Sequence, residues 1–274
     1  MKTWLITGAS SGIGFVMTTR LLERGDRVVA FGRRAAPFEP LLKTAGDRLR
    51  VALFDITDTA VMRRELDAAF AAFDRIDTVV SNAGYGLVGA AEEVTDVQIE
   101  RQIATNLTAS IQLVRAALLH LRAQGGGRIV QVSSEGGQVA YPNFSLYHAT
   151  KWGIEGFLDA VAQEVAPFGI DVVIAEPGPT VTGFARGLDH ATPLDAYDAT
   201  PAGDVRRALA SGAFEIKGDV ERTADAIIQV ANSAQPRRRI ALGSTAFENI
   251  LRALTSRLDD LLAQKALTLT ADKS

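Results

Sequence analysis

Short apolar runs rich in β-branched residues alternate along this chain with longer segments of helical character. We predict strands at Trp4–Thr7, Val28–Gly32, Leu49–Phe54, Asp77–Ser81, Arg128–Ser133, Asp171–Glu176 and Arg239–Leu242. Several runs, such as Val172–Ala175, are apolar on both faces, which is typical of parallel strands that have helices on each side. The intervening segments are mostly long enough for a crossover helix. The pattern therefore predicts a doubly wound α/β fold with about seven parallel strands flanked by helices.

The 274 residues contain no internal repeat and no linker rich in proline or serine, so we predict one domain over residues 1–274. The stretch 182–215 has only weak periodicity. A loop of that length predicts a substrate lid, with disorder as the alternative. Apolar residues at helical spacing predict a C-terminal helix near 245–263. We expect this helix to pack on the body of the protein, a subunit interface being the alternative.

Charge and residue counts exclude several classes of protein. The net charge is −3 without a long basic run, so we expect no nucleic-acid partner. The chain has no cysteine, which excludes disulfides and zinc–thiolate sites, and its three histidines are too scattered to suggest a metal site. No apolar segment approaches the ~18 residues that span a bilayer, and Gly8 interrupts the apolar start too early for a signal peptide. We expect a cytoplasmic protein without membrane contact.

A glycine-rich turn follows the first predicted strand and precedes a helix. It reads Thr7-Gly-Ala-Ser-Ser-Gly-Ile-Gly14. Backbone amides at a helix N-terminus attract phosphate, and glycine removes the side chain that would block its approach. The spacing differs from the commoner Gly-x-Gly-x-x-Gly fingerprint, and close packing alone would also require glycine. We favour a dinucleotide site that contains Gly8, Ser10, Ser11, Gly12, Ile13 and Gly14.

The end of the second predicted strand discriminates between the two nicotinamide dinucleotides. An acidic residue there usually binds the ribose 2′-hydroxyl of NAD, whereas arginine suits the 2′-phosphate of NADP. This chain has Phe31-Gly-Arg-Arg34 and no acid. A guanidinium can bind phosphate through two hydrogen bonds. Arg33 and Arg34 therefore favour NADP(H), the alternative being a solvated pair at the end of a strand.

Tyr147 and Lys151 are four residues apart, so they share one face if they lie on a helix. A phenol with a pKa near ~10 is a poor base at neutral pH. A nearby ammonium group and the positive ring of an oxidised nicotinamide would lower the pKa of Tyr147, which could then exchange a proton with a carbonyl or alcohol oxygen. Ser134 follows the fifth predicted strand and could hold the same oxygen. Taken singly, each could be a structural residue.

Taken together, these residues resemble the short-chain dehydrogenase/reductases over roughly residues 3–185. The shared features are Thr7-Gly-x3-Gly-x-Gly14, Asp55, Asn82-Ala-Gly84, Asn106, Ser134, Tyr147-x3-Lys151 and Pro177-Gly178. The resemblance implies a Rossmann-like fold, an NADP(H)-dependent reaction on CH–OH donors, and a homodimer or homotetramer.

The resemblance also implies roles for single residues. Asn106 would hold a water that links Lys151 to solvent, and Lys151 would also bind the nicotinamide ribose. The remaining cofactor contacts would be Asn82, Ala83 and Gly84 beside the fourth strand, Asp55 and Ile56 near the adenine, and Pro177, Gly178, Thr180 and Thr182 at the nicotinamide amide. A simple turn is the alternative for Pro177-Gly178. His148 differs from the residue that this family commonly has after the motif tyrosine, and we interpret it as structural.

The sequence thus predicts an oxidoreductase that interconverts a secondary alcohol and a ketone, or an aldehyde and an alcohol. The alternatives are a catalytically silent NADP(H)-binding sensor or scaffold, and an epimerase or dehydratase that uses a transient hydride. We expect a partly apolar small-molecule substrate. Its candidate contacts, chosen by position, are Gln138, Tyr141, Phe144, Phe184 and Tyr197.

Overall fold

All seven predicted runs are strands of a single parallel sheet. The computed structural model describes residues 1–212 and 216–272, apart from the side chain of Arg186. The described strands are β1 (Thr3–Thr7), β2 (Arg27–Gly32), β3 (Leu49–Leu53), β4 (Thr78–Ser81), β5 (Leu87–Val88), β6 (Gly127–Val132), β7 (Ile170–Pro177), β8 (Asp189–His190) and β9 (Arg239–Leu242). The sheet has the order β3-β2-β1-β4-β6-β7-β9, with every neighbouring pair parallel. The predicted fold class is confirmed, and each predicted strand boundary lies within one residue of the observed one.

Helices cover both faces of this sheet. They are α1 (Gly12–Glu23), α2 (Glu39–Ala45), α3 (Thr59–Ala72), α4 (Asp96–Ile103), α5 (Ala109–Ala123), α6 (Ser145–Val165), α7 (Pro201–Ser211), α8 (Val220–Ala231), α9 (Ser244–Ala263) and α10 (Lys265–Thr268). One hydrophobic core joins the sheet to α3, α5 and α6, and a second core joins it to α1, α2 and α8. Among the described residues, none of these helices is long and apolar enough to cross a membrane.

Strand β1 shows why the runs are apolar on both faces. Successive side chains of a strand point to opposite sides of the sheet. Leu5 accordingly belongs to the core with α3, α5 and α6, whereas Trp4 and Ile6 belong to the other core. All three side chains are completely buried. Each such burial contributes about 1.5–3 kcal/mol for an aliphatic side chain, so the alternation holds helices on both faces.

Residues 182–212 of the predicted lid are more regular than their weak periodicity predicts. Strand β8 pairs with β5, and helix α7 follows. The helix begins after Thr200, whose hydroxyl accepts a hydrogen bond from the Ala202 amide at 3.2 Å, and it ends at Gly212 with a φ of 67°. These are ordinary start and stop signals. The last three residues of the predicted lid, 213–215, lie outside the described residues.

The helix predicted near 245–263 is α9, but its packing differs from the expectation. Ala246 and Ile250, near its start, are buried. From Leu254 onward every described residue is exposed. The expectation that the helix packs on the body holds for its first turns and for Arg257, which contacts Gln138 and Trp152. The leucines from Leu254 onward are not covered.

Candidate active site

A cleft of about 1620 Å³ lies at the carboxyl ends of the sheet strands. The loops that follow β1 and β4 diverge here, and such a divergence is where open α/β sheets bind ligands. Of the predicted site residues, Gly14 and Asn106 do not line the cleft. Those that do are Gly8, Ser10, Ser11, Gly12, Ile13, Arg33, Arg34, Asp55, Ile56, Asn82, Ala83, Gly84, Ser134, Tyr147, Lys151, Pro177, Gly178, Thr180 and Thr182.

The glycine turn packs against the segment after β4. Gly8 has a φ of 66°, and a Cβ there would lie 2.9 Å from the Ala83 Cα. A Cβ on Gly14 would lie 2.5 Å from Asn82 Nδ2 and 2.6 Å from the Gly8 carbonyl oxygen. Neither position has room for a side chain. Gly14 therefore allows helix α1 to pack closely against the turn, and it does not itself line the cleft.

The N-terminus of α1 opens into the cleft without a side-chain cap. Ser11 precedes the helix and makes no side-chain cap hydrogen bond. The first described helical bond of this end runs from the Phe15 amide to the Ser11 carbonyl at 3.2 Å. The amides of Gly12 and Ile13 precede it on the cleft wall. Amides at an open helix end attract anions, so this end fits the phosphates of a dinucleotide.

Asn82 ties the turn to the start of the next loop. Its Nδ2 donates to the Thr7 carbonyl at 2.9 Å, and its backbone amide donates to Thr7 Oγ1 at 2.9 Å. The Ala83 amide donates to the same hydroxyl at 3.1 Å. Thr7 is almost completely buried. This hydrogen-bonded web holds the two loops at a fixed separation across the cleft.

Two arginines stand where β2 ends. The Arg33 side chain is 70% exposed and lies 3.9 Å from an oxygen of Asp55. Arg34 donates to the Ser10 carbonyl at 3.2 Å. Asp55 accepts from the amide and the hydroxyl of Thr57, and these hydrogen bonds, the amide foremost, hold the pKa of its carboxyl below the usual value. Arg33 therefore remains free to turn toward a phosphate.

At the other end of the cleft, α6 carries Tyr147 and Lys151 on one face. The Lys151 Nζ lies 5.6 Å from the centroid of the Tyr147 ring and donates to the Val132 carbonyl at 3.1 Å. Lys151 is 7% exposed. Burial lowers the pKa of Lys151 to about 8, while Glu155 acts in the opposite direction. The position of the Lys151 ammonium group is thus set by a hydrogen bond to the last residue of β6 as well as by helix α6.

The acidity of the Tyr147 phenol is governed by its burial. Burial raises the pKa of Tyr147 to about 12, a hydrogen bond with Ser134 opposes the rise, and Glu135 and Glu155 add to it. The sequence predicts that Lys151 and an oxidised nicotinamide together lower this pKa, and it does not show the burial that raises the pKa in the protein alone. In the protein alone the tyrosine is held in its protonated form.

Ser134 lies two residues after the end of β6 and caps the short turn Glu135–Gly137. Its Oγ accepts a hydrogen bond from the Gly136 amide at 3.1 Å. That bond fixes the hydroxyl beside Tyr147 and leaves its own proton available to another acceptor. Ser134 and Tyr147 are thereby brought together from two separate elements.

Asn106 lies in a π-helical turn, Ala104–Thr108, between α4 and α5. Its side chain accepts from the Tyr85 amide at 3.0 Å and donates to the Tyr85 carbonyl at 2.8 Å. Its Nδ2 also lies 3.4 Å from Thr150 Oγ1. The described hydrogen bonds of Asn106 thus hold the loop after β4 and α6, rather than Lys151 itself. Turns of this kind often mark functional positions in helices.

The segment after β7 forms the remaining wall of the cofactor end. The Gly178 amide donates to the Leu242 carbonyl at 3.0 Å, and Thr180 Oγ1 donates to the Gly178 carbonyl at 2.9 Å. Thr182 lies next to the glycine turn, since a Cβ on Gly12 would be 3.7 Å from the Thr182 Cβ. The loops after β1 and β7 therefore meet above the cleft.

His148 has both ring nitrogens bonded to the backbone. The Tyr141 amide donates to Nε2 at 3.0 Å, which leaves Nδ1 as the donor to the Gly136 carbonyl at 2.9 Å. Burial lowers the pKa of this imidazole. The arrangement agrees with the structural role expected from the sequence.

Three of the five substrate candidates line the cleft and two do not. Tyr141, Phe144 and Phe184 are in its wall, with the Phe184 ring 6.0 Å from that of Tyr147. Gln138 instead donates to Glu155, and Tyr197 donates to Glu92 at 2.9 Å. Both are therefore wrong as substrate contacts, because position in the chain does not tell which way a loop side chain points.

Other cleft residues are absent from the sequence prediction. Val205 and Leu209 reach the cleft from α7, and Asn249 reaches it from α9. Glu135, next to Ser134, is also there and is 4% exposed. The spacing of Val205 and Leu209 by four residues is the one signal that could have indicated a shared helical face.

A buried ionic network lies behind Lys151. Glu155, one helical turn further along α6, pairs with Arg239 of β9 and accepts from Ser133 Oγ at 2.5 Å. Arg239 also pairs with Glu176 at 2.7 Å and with Asp159 at 2.6 Å. This network fastens α6 to the edge of the sheet. Helix α6 is thus held in place by these ion pairs as well as by the packing of its apolar face.

Comparisons with known proteins identify the family. The short chain dehydrogenase family matches residues 2–192. An oxidoreductase of Botryotinia fuckeliana is 32% identical over 249 residues, which are 90% of each protein. The crystal structure of a short-chain dehydrogenase from Streptomyces avermitilis has a TM-score of 0.91 and 32% identity, and the match covers 99% of this chain and 100% of that one.

A further structure, the 3-ketoacyl-(acyl-carrier-protein) reductase of Brucella melitensis complexed with NADH, has a TM-score of 0.73 and 26% identity, with 88% and 95% of the two chains covered. These likenesses span the sheet, the glycine turn and the helix that carries Tyr147 and Lys151. The chain belongs to the short-chain dehydrogenase family of oxidoreductases.

Proposed function

We propose that this protein is an NADP(H)-dependent oxidoreductase that interconverts a secondary alcohol and a ketone, or an aldehyde and an alcohol. The observation that carries the proposal is the convergence of Ser134, Tyr147 and Lys151 on one cleft. The open N-terminus of α1 and two arginines line the same cleft. A proton-transfer group and a phosphate-binding end are thus combined in a single site.

The bound nicotinamide supplies the hydride in reduction and accepts it in oxidation. The amides of Gly12 and Ile13 hold the pyrophosphate, and Arg33 with Arg34 holds the 2′-phosphate. The reductase of Brucella melitensis was solved with NADH, so family membership allows either dinucleotide. Our choice of NADP rests on the two arginines and on the lack of an acid at the end of β2.

Further cofactor contacts follow from the same cleft. Asp55 and Ile56 would bind near the adenine, and Asn82, Ala83 and Gly84 would contact the cofactor from the loop after β4. Pro177, Gly178, Thr180 and Thr182 receive the nicotinamide amide. Asn106 keeps the loop after β4 in place and relays protons through a water toward Lys151. The family's motifs support these roles, together with the positions of the other residues around one cleft and the hydrogen bonds of Asn106 to Tyr85.

Tyr147 acts as the general acid in reduction. Its pKa of about 12 keeps the phenol protonated at neutral pH, so the hydroxyl donates to the carbonyl oxygen as the hydride reaches the carbonyl carbon. Ser134 donates a hydrogen bond to the same oxygen and holds it in place. In oxidation Tyr147 must lose its proton first. The charges of Lys151 and of an oxidised nicotinamide favour that loss.

The segment 182–215 is proposed as a substrate lid on the same single domain. Helix α7 supports this role, because Val205 and Leu209 face the cleft. The lining beside Tyr147 includes the aromatic rings of Phe144 and Phe184, and a partly apolar substrate fits it.

We further propose that the protein forms homodimers or homotetramers. Phe247, Leu251, Leu254, Leu258 and Leu261 of α9 are each 48–61% exposed. Their spacing alternates between four and three residues, which is the pattern of a coiled-coil seam. An exposed stripe of this kind usually covers itself by pairing. Helix α9 carries two arginines against Glu248, Asp259 and Asp260, and this slight negative excess favours a protein partner over an anionic lipid surface.

The function is tested by mixing the purified protein with NADPH or NADH and a panel of ketones and aldehydes. We expect loss of nicotinamide absorbance that depends on the carbonyl compound and is faster with NADPH. Tight NADPH binding without turnover on any compound would instead favour the sensor or scaffold. The presence of both Tyr147 and Lys151 favours the enzyme.

A further inference from the structure

Glu135 is a buried carboxylate at the substrate end of the cleft. The residue is 4% exposed and follows Ser134 directly. One carboxylate oxygen accepts from the Tyr141 hydroxyl at 3.0 Å, and the other accepts from Asn249 Nδ2 at 3.3 Å. Asn249 Nδ2 also donates to the Tyr141 oxygen at 3.0 Å. The described hydrogen bonds of the carboxylate thus come from two neutral donors, and both of those side chains also line the cleft.

The other buried glutamates of the described chain are each paired with an arginine. Glu93 lies 3.0 Å from Arg206. Glu155 and Glu176 share Arg239. Within the described side chains of residues 1–212 and 216–272, no such ion pair is formed by the fourth glutamate, Glu135.

A buried carboxylate without a cation is costly, because neutral donors replace only part of the lost hydration. Burial accordingly raises the pKa of Glu135, whereas backbone hydrogen bonds and Arg206 hold the pKa of Glu93 below its usual value despite its burial. The two residues differ in what surrounds the carboxylate. Glu93 has its counter-ion from α7, and Glu135 has a cleft beside it.

Glu135 is also near the reacting position. It is one residue from Ser134, and its negative charge acts on the Tyr147 hydroxyl. The Gly136 amide, within the Glu135–Gly137 turn, donates to Ser134 Oγ at 3.1 Å, so the turn has a fixed position relative to the serine. A substrate oxygen held by Ser134 and Tyr147 therefore has its neighbouring atoms close to the Glu135 carboxylate.

We propose that Glu135 binds a protonated amine of the substrate, so that the preferred substrates are amino ketones and the corresponding amino alcohols. The inference rests on the proposed function for the carbonyl and names the substrate class of that site. An ammonium group supplies the missing positive charge and donates to oxygens that already accept one bond each. Phe184, Val205 and Leu209 receive the apolar remainder of the substrate.

The test compares matched ketones that differ only in the cation. α-Aminoacetophenone is paired with propiophenone, and β-aminopropiophenone with butyrophenone, so that a methyl group replaces the ammonium group. We expect kcat/KM of the wild-type protein to be about ten- to a hundredfold higher for at least one amine than for its partner. Equal or lower values for both amines overturn the inference without the use of any variant.

The variant Glu135→Gln keeps the size of the side chain and an acceptor for Asn249 while it removes the charge. We expect it to lose the preference for the amine, measured as the ratio of kcat/KM for each amine to that for its neutral partner, so that any effect of the lost charge on Tyr147 cancels. A thermal melt and the Kd for NADPH show that the variant is folded. Glu248→Gln is the matched control, because Glu248 is exposed and adjacent to Asn249. A preference that persists in Glu135→Gln, or that is lost equally in Glu248→Gln, contradicts the assignment.

Calorimetry separates failure of this inference from failure of the proposed function. The two amino ketones are titrated into the protein with NADP⁺, and the titration is repeated with Glu135→Gln. Binding that depends on Glu135 in a protein without turnover supports the amine site and removes the proposed reaction. Turnover of neutral ketones without binding of either amine supports the reaction and removes the amine site.

Discussion

The Lys151 ammonium lies 5.6 Å from the centre of the Tyr147 ring and is anchored to the carbonyl of Val132. Helix α6 places the two side chains on one face, and the last residue of β6 fixes the lysine. The charge of Lys151 is therefore directed at a phenol that burial otherwise keeps protonated. This relationship links the sheet, the helix and the proposed proton transfer.

The protonation of Lys151 predicts the pH dependence of reduction. Burial lowers the pKa of Lys151 to about 8, so the ammonium form is present below that pH and is lost as the pH rises through it. Tyr147, with a pKa of about 12, stays protonated throughout. We expect kcat/KM for ketone reduction by NADPH to be flat at low pH and to fall above pH 8 or so. A profile measured from about pH 6 to 10 that shows no fall on the alkaline side contradicts this account.

The choice of cofactor depends on Arg33. Its side chain is largely exposed, and a 2′-phosphate would gain charge-assisted hydrogen bonds from it. We expect Arg33→Ala to weaken NADPH binding by about ten- to a hundredfold while NADH binding changes little. Fluorescence titration of both dinucleotides measures this. Arg64→Ala is the control, because Arg64 is equally exposed on α3. Equal affinity of the wild-type protein for NADH and NADPH defeats the NADP assignment.

The packing of α1 against the loop after β4 depends on Gly14. A Cβ there would lie 2.5 Å from Asn82 Nδ2 and 2.6 Å from a backbone oxygen that cannot move freely. We expect Gly14→Ala to destabilise the protein by about 1–3 kcal/mol and to lower the Tm by several degrees. NADPH affinity should fall with it.

Gly156→Ala is the matched control for that variant. Gly156 is also helical, in α6, but a Cβ there would meet nothing within 4 Å. Alanine is the better helix former, so the free energy of unfolding should stay constant or rise by up to ~1 kcal/mol, and the Tm should not fall. Thermal melts that order the two variants the other way are incompatible with the close approach at Gly14.

The apolar stripe of α9 predicts self-association. Leu254→Glu places a charge in the middle of the stripe, so we expect it to shift the protein toward monomer in light scattering after size-exclusion chromatography. Ser256→Glu adds the same charge on the opposite side of the helix and should leave the mass unchanged. A wild-type protein that is already monomeric, or a Leu254→Glu variant with an unchanged oligomer, argues against pairing through this helix.

The sheet and its motif-bearing loops could be predicted because each depends on local pattern. Short runs that are apolar on both faces are typical of buried parallel strands. A glycine directly after such a run, as at Gly8, indicates the tight turn that leads from β1 to α1. Helix α7 was missed since its apolar face is narrow, although Thr200, Pro201 and Gly212 mark its ends.

What the sequence left open depends on contacts between distant parts of the chain. Glu135 meets Asn249, which is 114 residues away, and no spacing rule connects them. Burial raises the pKa of Tyr147 in the protein alone, and burial is a property of the folded protein that no motif shows. Gln138 was assigned to the substrate but faces Glu155, since loop side chains have no fixed period.

The most direct test of the proposed mechanism is NADPH oxidation by Tyr147→Phe in the presence of a ketone that the wild-type protein reduces. The Kd for NADPH is measured on the same preparation, so that loss of activity is separated from loss of cofactor binding. We predict NADPH binding close to that of the wild type and a kcat lower by a factor of about 10²–10⁴. Turnover near the wild-type rate in Tyr147→Phe would contradict the assignment of this hydroxyl as the proton donor.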